Sequence, residues 1–505
     1  MQLSKEVLTS IKPDPLLSVP AAAQMDLPEK VLQFGTGVLL RGLPDYFIDK
    51  ANKQHIFNGR VVVVKSTDTG GADAFETQNG LYTICVRGLE DGKQVNEYII
   101  NSSISRVLSA KEQWQQILKV AQSPELEVVI SNTTEVGIVM SEDRVTDQPP
   151  ASFPGKLLAV LYERFKTFGG TKESGLVIVP TELIIDNGRQ LKEIIVRLAT
   201  QNGLEPAFMA WLQAANHFCN SLVDRIVPGK LEGDDRVQTQ RQLGYTDDLM
   251  IMSEVFRLWA IEAADPRVQE ALSFAKADAG VVIAPDIEKF RELKLRLLNG
   301  THTLSCGLAY LAGFETVKEA MADAGFAGFV TKLSKTELAA AVAGDKISYE
   351  EACKFADAVI ERFKNPFLDH KWLSISFAYT SKMLMRNVPL IKTFYSSGER
   401  DVSAAIALGF AAYLLFMKSE PEGTRYVGSA NGKQYTLNDD KAAILAQKWA
   451  ENAGTAAVVE SVLSDTGLWN EDLTRIPGFA EAVKQQLQFL TESGAKAALQ
   501  NSIKE

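Results

Sequence analysis

The sequence is poor in the residues that build covalent staples and metal cages. Its 505 residues include only four cysteines (Cys85, Cys219, Cys306, Cys353) and four histidines (His55, His217, His302, His370). No CxxC pair occurs, and the spacing in so long a chain implies no disulfide framework, so reduced thiols are expected. No HxxxH or HExxH pair occurs either, so no metal site is expected. A long apolar run is also missing. The longest, residues 402–417, falls short of the roughly 20 residues a bilayer requires and suits a buried helix. Lys5, Glu6, Pro13 and Asp14 interrupt the N-terminal region, which excludes a signal-peptide pattern. A cytoplasmic protein with no membrane partner is the expectation. Finally, positive charge is in deficit. A net charge of -10 repels phosphate backbones, so nucleic acid is not an expected partner.

What is present is an ordinary globular composition, 46% hydrophobic and 23% charged, in a chain long enough for two domains. Residues 1–28 are polar with several prolines and read as a lead-in arm. Val31-Leu-Gln-Phe34 reads as a buried strand, followed by a helix to about Lys53 and a second strand at Val61-Val-Val-Val64. Asn79-Gly80 is a hairpin signal. Residues 111–121 read as a helix, and 126–130 and 175–179 as strands. Strands alternating with helices imply a doubly wound, Rossmann-like α/β sheet. Beyond Asp286 the character changes to alanine-rich helix-period segments at 318–325, 335–343, 349–364, 402–418, 441–454 and 479–493. The expected organisation is therefore a Rossmann-like dinucleotide-binding domain, 1–285, and a mainly α-helical substrate and catalytic domain, 286–505.

Candidate chemistry begins at Gly35-Thr36-Gly37. The first glycine permits a tight turn after a strand, and the second lets a pyrophosphate approach a helix N-terminus. The third glycine of the usual fingerprint is absent: Leu40 stands there and Gly42 follows two later. The backbone of Phe34, Gly35, Thr36, Gly37 and Val38 is the candidate cofactor cradle. At the end of the second strand, Asp68 suits the ribose of NAD, whereas Lys65 would suit a 2′-phosphate; a solvated loop is the plain alternative. After the 126–130 strand, Thr134 and Glu135 either line the nicotinamide pocket or form a helix cap. Asp224 and Arg225, polar within an apolar stretch, are a structural ion pair or site residues.

The segment Lys294-Leu-Arg-Leu-Leu-Asn-Gly-Thr-His302 concentrates a lysine, an asparagine and a histidine. On an α-helix Asn299 and His302 are i, i+3 neighbours and Lys294 lies about 80° round from His302, so all three can face one cleft. The plain alternative is a solvated lysine and a satisfied core histidine.

This segment resembles the signature of the mannitol dehydrogenase family, the polyol-specific long-chain dehydrogenases. Supporting likenesses are Gly35-Thr-Gly37 with Arg41, Asn79-Gly-Leu-Tyr-Thr83, Thr134-Glu135-x-Gly137, Asn220-Ser-Leu-Val-Asp224-Arg225-Ile, Phe256-x-x-Trp259-x-Ile-Glu262 and Arg362-Phe-x-Asn365-Pro366. Pro180-x-Glu182-Leu-Ile departs from the Cys-Asp-Asn motif of mannitol-type members and is more similar to the hexuronate branch. The segment from His370 through Lys382 and Arg386 is also similar to that branch. The resemblance implies a metal-independent, NAD-dependent oxidoreductase interconverting D-altronate and D-tagaturonate. Fructuronate or a neutral polyol such as mannitol is the alternative substrate, and a catalytically silent nucleotide-binding protein the alternative outside enzymes. It implies that Lys294 is the general acid/base and that Asn299 and His302 donate to the substrate oxygen. Glu182, Asp224, Arg225, His370, Lys382 and Arg386 would bind the sugar acid, cations suiting its carboxylate. A lysine starts near pKa 10.4; bringing it to about 7 means destabilising its charge by roughly 4 kcal/mol, which burial and nearby cations can supply. A monomer or weak homo-oligomer is expected.

Overall fold

The computed structural model describes residues 1–66, 72–133, 136–396 and 404–501. The chain forms two compact units, Met1–Gly88 with Gln94–Ile287 and Leu89–Lys93 with Glu288–Glu505.

The first unit is built on a six-stranded parallel sheet: β1 (Glu29–Phe34), β2 (Arg60–Lys65), β3 (Ile104–Ser109), β4 (Val128–Ser131), β5 (Val177–Pro180) and β6 (His217–Phe218). Their spatial order is β3-β2-β1-β4-β5-β6, the doubly wound order in which the chain reverses direction between β1 and β4. The expected α/β class is therefore observed. Val61 to Val64 are all fully buried, as a strand covered on both faces requires.

Several local expectations are corrected. The first 28 residues are not a loose arm: Leu3 and Leu8 are buried, and Leu17–Ser18 pairs in parallel with Lys93–Asn101. The helix after the glycine turn is two helices, Val38–Gly42 and Pro44–Lys53, because Pro44 starts a new one after Leu43 leaves helical geometry. Asn79-Gly80 joins the helix Ala72–Thr77 to the strand Tyr82–Glu90 and is not a hairpin turn; a hairpin turn lies at Asp91-Gly92, both at positive φ.

The second unit is mainly helical. Tyr349–Phe363 and Phe479–Ser493 lie where the helix period places them, and the apolar run forms Ala405–Phe416, nearly all buried. Residues 402 and 403 lie outside the described part. A three-stranded antiparallel sheet, Ser419–Glu422, Arg425–Ala430 and Lys433–Thr436, was not expected: its strands are short and mostly exposed, so no apolar run marks them. Among the described residues, three π-helical segments occur, at Leu293–Asn299, Lys332–Leu338 and Met383–Asn387. No helix there is long and apolar enough to cross a membrane.

Candidate active site

In the first unit the glycine turn sits at the end of β1, beside β4, where the sheet reverses. Gly35 has φ +123, and a Cβ there would lie 2.9 Å from the Asn132 carbonyl oxygen and 2.9 Å from Leu40. Only glycine is tolerated. Gly37 is different. It has ordinary φ, opens the helix Val38–Gly42, and a Cβ on it would meet nothing within 4 Å. One glycine is required by the fold; the other leaves open space beside first-turn N–H groups, as a dinucleotide pyrophosphate needs. The residues present fit that group. Phe34 is buried against Phe153, with ring centroids 5.1 Å apart, so its side chain serves the core. Asp68, Thr134 and Glu135 lie outside the described residues.

Charged groups brace the turn from below. Gln33 Nε2 donates to Asp45 Oδ2 at 3.2 Å, and Arg41 Nη1 to the Leu249 carbonyl at 2.6 Å. Burial pushes the Asp45 carboxyl up to about 7, against the hydrogen bond from Gln33 and the charge of Arg41. Arg225 is buried and donates through Nε to the Glu254 carbonyl at 2.9 Å and through Nη1 to Gly42 at 2.7 Å. It lies over the Tyr46 ring, 4.4 Å from its centroid. A cation at the end of the helix Val38–Gly42 offsets the free carbonyls there. Asp224, its neighbour, is also buried.

Glu182 is engaged with the protein itself. Its Oε1 accepts from the Thr133 N–H and Oγ1 at 2.9 and 3.0 Å, and its Oε2 from Ser131 Oγ at 3.1 Å. These bonds tie the loop after β5 to the loop after β4, whose Asn132 carbonyl packs on Gly35. Burial raises the Glu182 carboxyl while those donors oppose it.

In the second unit Lys294 and Asn299 stand in the π-helical segment Leu293–Asn299, both half-buried. Uniform α-helical winding would set them about 140° apart; i→i+5 winding brings i and i+5 toward one face. His302 stacks on Phe363 at 4.0 Å between centroids and meets His370 edge-on at 5.3 Å. Its pKa lies well below the ordinary histidine value, first through burial, then through the charges of His370, Arg362, Arg386 and Lys382. Arg386 Nη1 donates to Thr303 Oγ1 at 3.1 Å, and Thr303 Oγ1 donates to the Asn299 carbonyl at 2.8 Å. Lys382 Nζ donates to the Ile375 carbonyl at 2.9 Å. Burial and Arg386 lower its pKa; burial and Lys382 lower that of His370. Residues some eighty positions apart thus form one cationic cluster around a neutral imidazole.

Models of the mannitol dehydrogenase Rossmann domain and the mannitol dehydrogenase C-terminal domain match residues 29–272 and 286–491. The altronate oxidoreductase of Halalkalibacterium halodurans is 38% identical over 484 residues, covering 94% of this chain and 93% of its own. The chain belongs to the mannitol dehydrogenase family. Another relative, the altronate oxidoreductase of Bacillus subtilis, is 37% identical over 94% of this chain and 95% of its own. The solved mannitol 2-dehydrogenase of Pseudomonas fluorescens, a ternary complex with NAD and D-mannitol, has a TM-score of 0.68 with 22% identity, each chain covered in full. It shows the shared fold.

Within this family's fold, three groups near the candidate residues had not been singled out from sequence. Arg362 and Phe363 stood in a quoted motif, yet nothing in their spacing linked them to His302. Arg296 stands inside the signature, but nothing in the sequence set it apart from its neighbours. Asp45 carried no sequence signal, since a lone carboxylate in a helix is usually exposed. Among the described residues, no group of three or more His, Cys, Asp or Glu side chains could hold a metal ion.

Proposed function

We propose that this protein interconverts D-altronate and D-tagaturonate with NAD(H), taking its proton from a lysine. The observation that carries the reading is the pair Arg386 and Lys382 near His302, two cations that a neutral polyol does not call for and a sugar acid does. The family's altronate oxidoreductases, alike over nearly the whole chain, support the same substrate class.

The backbone of Phe34 to Val38 holds the dinucleotide, with Gly37 leaving room for the pyrophosphate. Bound NADH supplies the hydride for the keto carbon, and NAD accepts it in the reverse direction. Lys294 gives its proton to the substrate oxygen in reduction and removes it in oxidation. Asn299 and His302 donate hydrogen bonds to that oxygen as negative charge gathers on it. The depressed pKa of His302 suits this role: a neutral imidazole donates one hydrogen bond without being the proton source. Arg386 and Lys382 receive the carboxylate, and burial strengthens those charge-assisted contacts. Asp224, Arg225 and Glu182 act from behind, holding the loops at the strand ends. His370 sets the edge of the imidazole.

The test is a panel of tagaturonate, fructuronate, fructose and mannitol assayed with NADH or NAD, and with the phosphorylated cofactors, before and after chelator treatment. Tagaturonate should be reduced fastest with NADH, chelator or not. Preference for fructuronate or a neutral sugar rejects the substrate. Dinucleotide binding without turnover of any of them rejects the enzyme.

A further inference from the structure

The signature segment Leu293–Asn299 and the segment Met383–Asn387 are both π-helical. Where winding widens from i→i+4 to i→i+5 the hydrogen-bond ladder is interrupted, and carbonyls at the interruption need donors from elsewhere. Arg296 meets that need. Its Nη1 donates to the Met385 carbonyl at 2.6 Å and the Arg386 carbonyl at 3.0 Å, while its Nε is held by Glu292 Oε2 at 2.9 Å. A second lace runs back: Asn387 Nδ2 donates to the Gly300 carbonyl at 3.0 Å. Gly300 fits because a Cβ there would stand 3.3 Å from Asn387 Oδ1, tighter than ordinary contact. A third lace is the Arg386 side chain on Thr303.

We infer that Arg296 is a positioning residue for the sugar-acid site, latching the two π-helical segments so that the Arg386 guanidinium stays beside Thr303 and His302. The inference rests on the function proposed above. A guanidinium suits the task because its planar fork can satisfy two carbonyls and a carboxylate together, whereas an ammonium is a single point charge. Arg296 touches no reacting atom. Its effect reaches the substrate through the backbone that carries Arg386. Glu292 has a defined part too, orienting the fork from one turn away.

The experiment compares wild type with Arg296→Met and Arg296→Lys. Each is assayed for KM and kcat with tagaturonate, Kd for NADH, and amide hydrogen exchange of residues 383–387. For Arg296→Met, KM should rise at least about tenfold while kcat falls less than about threefold, because carboxylate binding is lost and the proton donor is kept. Exchange at 383–387 should quicken, and NADH binding should stay within about twofold of wild type. Arg296→Lys should recover part of the KM loss. Wild-type KM and exchange in Arg296→Met would overturn the latch, as would parallel losses in kcat, KM and NADH affinity. If Arg296→Met does not fold, Arg296→Lys carries the test: KM raised about threefold or more with quicker exchange supports the latch, and unchanged values overturn it. Hydrogen exchange needs no substrate, so wild type that ignores tagaturonate would reject the proposed function while the exchange result still judges the latch.

Discussion

The glycine turn of the first unit and the π-helical cluster of the second are built by different means. At the turn the backbone is what matters: Gly35 is required by a positive φ and the Asn132 carbonyl, and Gly37 leaves open space above it. Side chains there, Arg41, Asp45, Arg225 and Glu182, are occupied with one another and with main-chain groups. In the cluster, side chains supply the polar groups. His302, Lys382 and Arg386 gather there, next to segments whose winding departs from the α form. The comparison teaches that a cradle for a constant group can be written in local backbone preferences. A buried cluster of cations needs groups from distant parts of the chain.

That contrast can be broken from either side, beginning with the largest effect. Lys294→Ala should lower turnover at least about a hundredfold, the usual worth of general acid–base catalysis, with NADH binding intact in a fluorescence titration. Turnover near wild type would remove Lys294 from the chemistry. Arg386→Ala should raise KM for the uronate about ten- to a hundredfold, as loss of a charge-assisted hydrogen bond does, with Kd for NADH unchanged. Equal shifts in both constants would reject the division of labour. Gly37→Val should weaken NADH binding about tenfold while the melting temperature stays within about a degree, since the added carbons fill ligand space and strain no backbone. A large loss of stability would mean the fold itself requires Gly37, as it does Gly35.

The smallest effect concerns Asp45. Its native carboxyl titrates at about 7 against an ordinary 3.8. Between those values the native state holds a proton the unfolded chain releases, so Asp45 erodes stability as pH rises through this window, fully by pH 8. Asp45→Asn removes the buried charge. Its melting temperature relative to wild type should be higher at pH 8 than at pH 5 by about 2–4 °C, measured by calorimetry. A difference independent of pH would show that Asp45 is not the titrating group.

Much of the first unit was legible beforehand. Val61 to Val64, Val31 to Phe34 and the intervening Gly35-Thr36-Gly37 announce strand, turn and strand because β-branched runs and glycines report local backbone preference. The helix Tyr349–Phe363 was legible from its helix-period apolar stripe, and the structure adds a capping box of Ser348 and Glu351 at its start. The second-unit sheet of 419–436 was not, because exposed short strands leave no pattern. Nor was the winding of 293–299. Its residues are good α-formers, and nothing local asks for a π turn. The bonds of Glu182 to Ser131 and Thr133 were not legible either: a carboxylate at a strand end looks the same in sequence whether or not it meets a neighbouring loop.

By itself the sequence determined the doubly wound sheet, the glycine turn and the helical second half, all of which follow from residue type and period along the chain, while the roles of Lys294, Asn299 and His302 came from the family resemblance. Tertiary structure alone decided how Leu293–Asn299 is wound, which cations gather at His302, and which charged groups turn inward to brace backbone. The physical reason is that an irregular turn of helix is unfavourable alone and persists only where distant donors such as Arg296 and Asn387 satisfy what it leaves open.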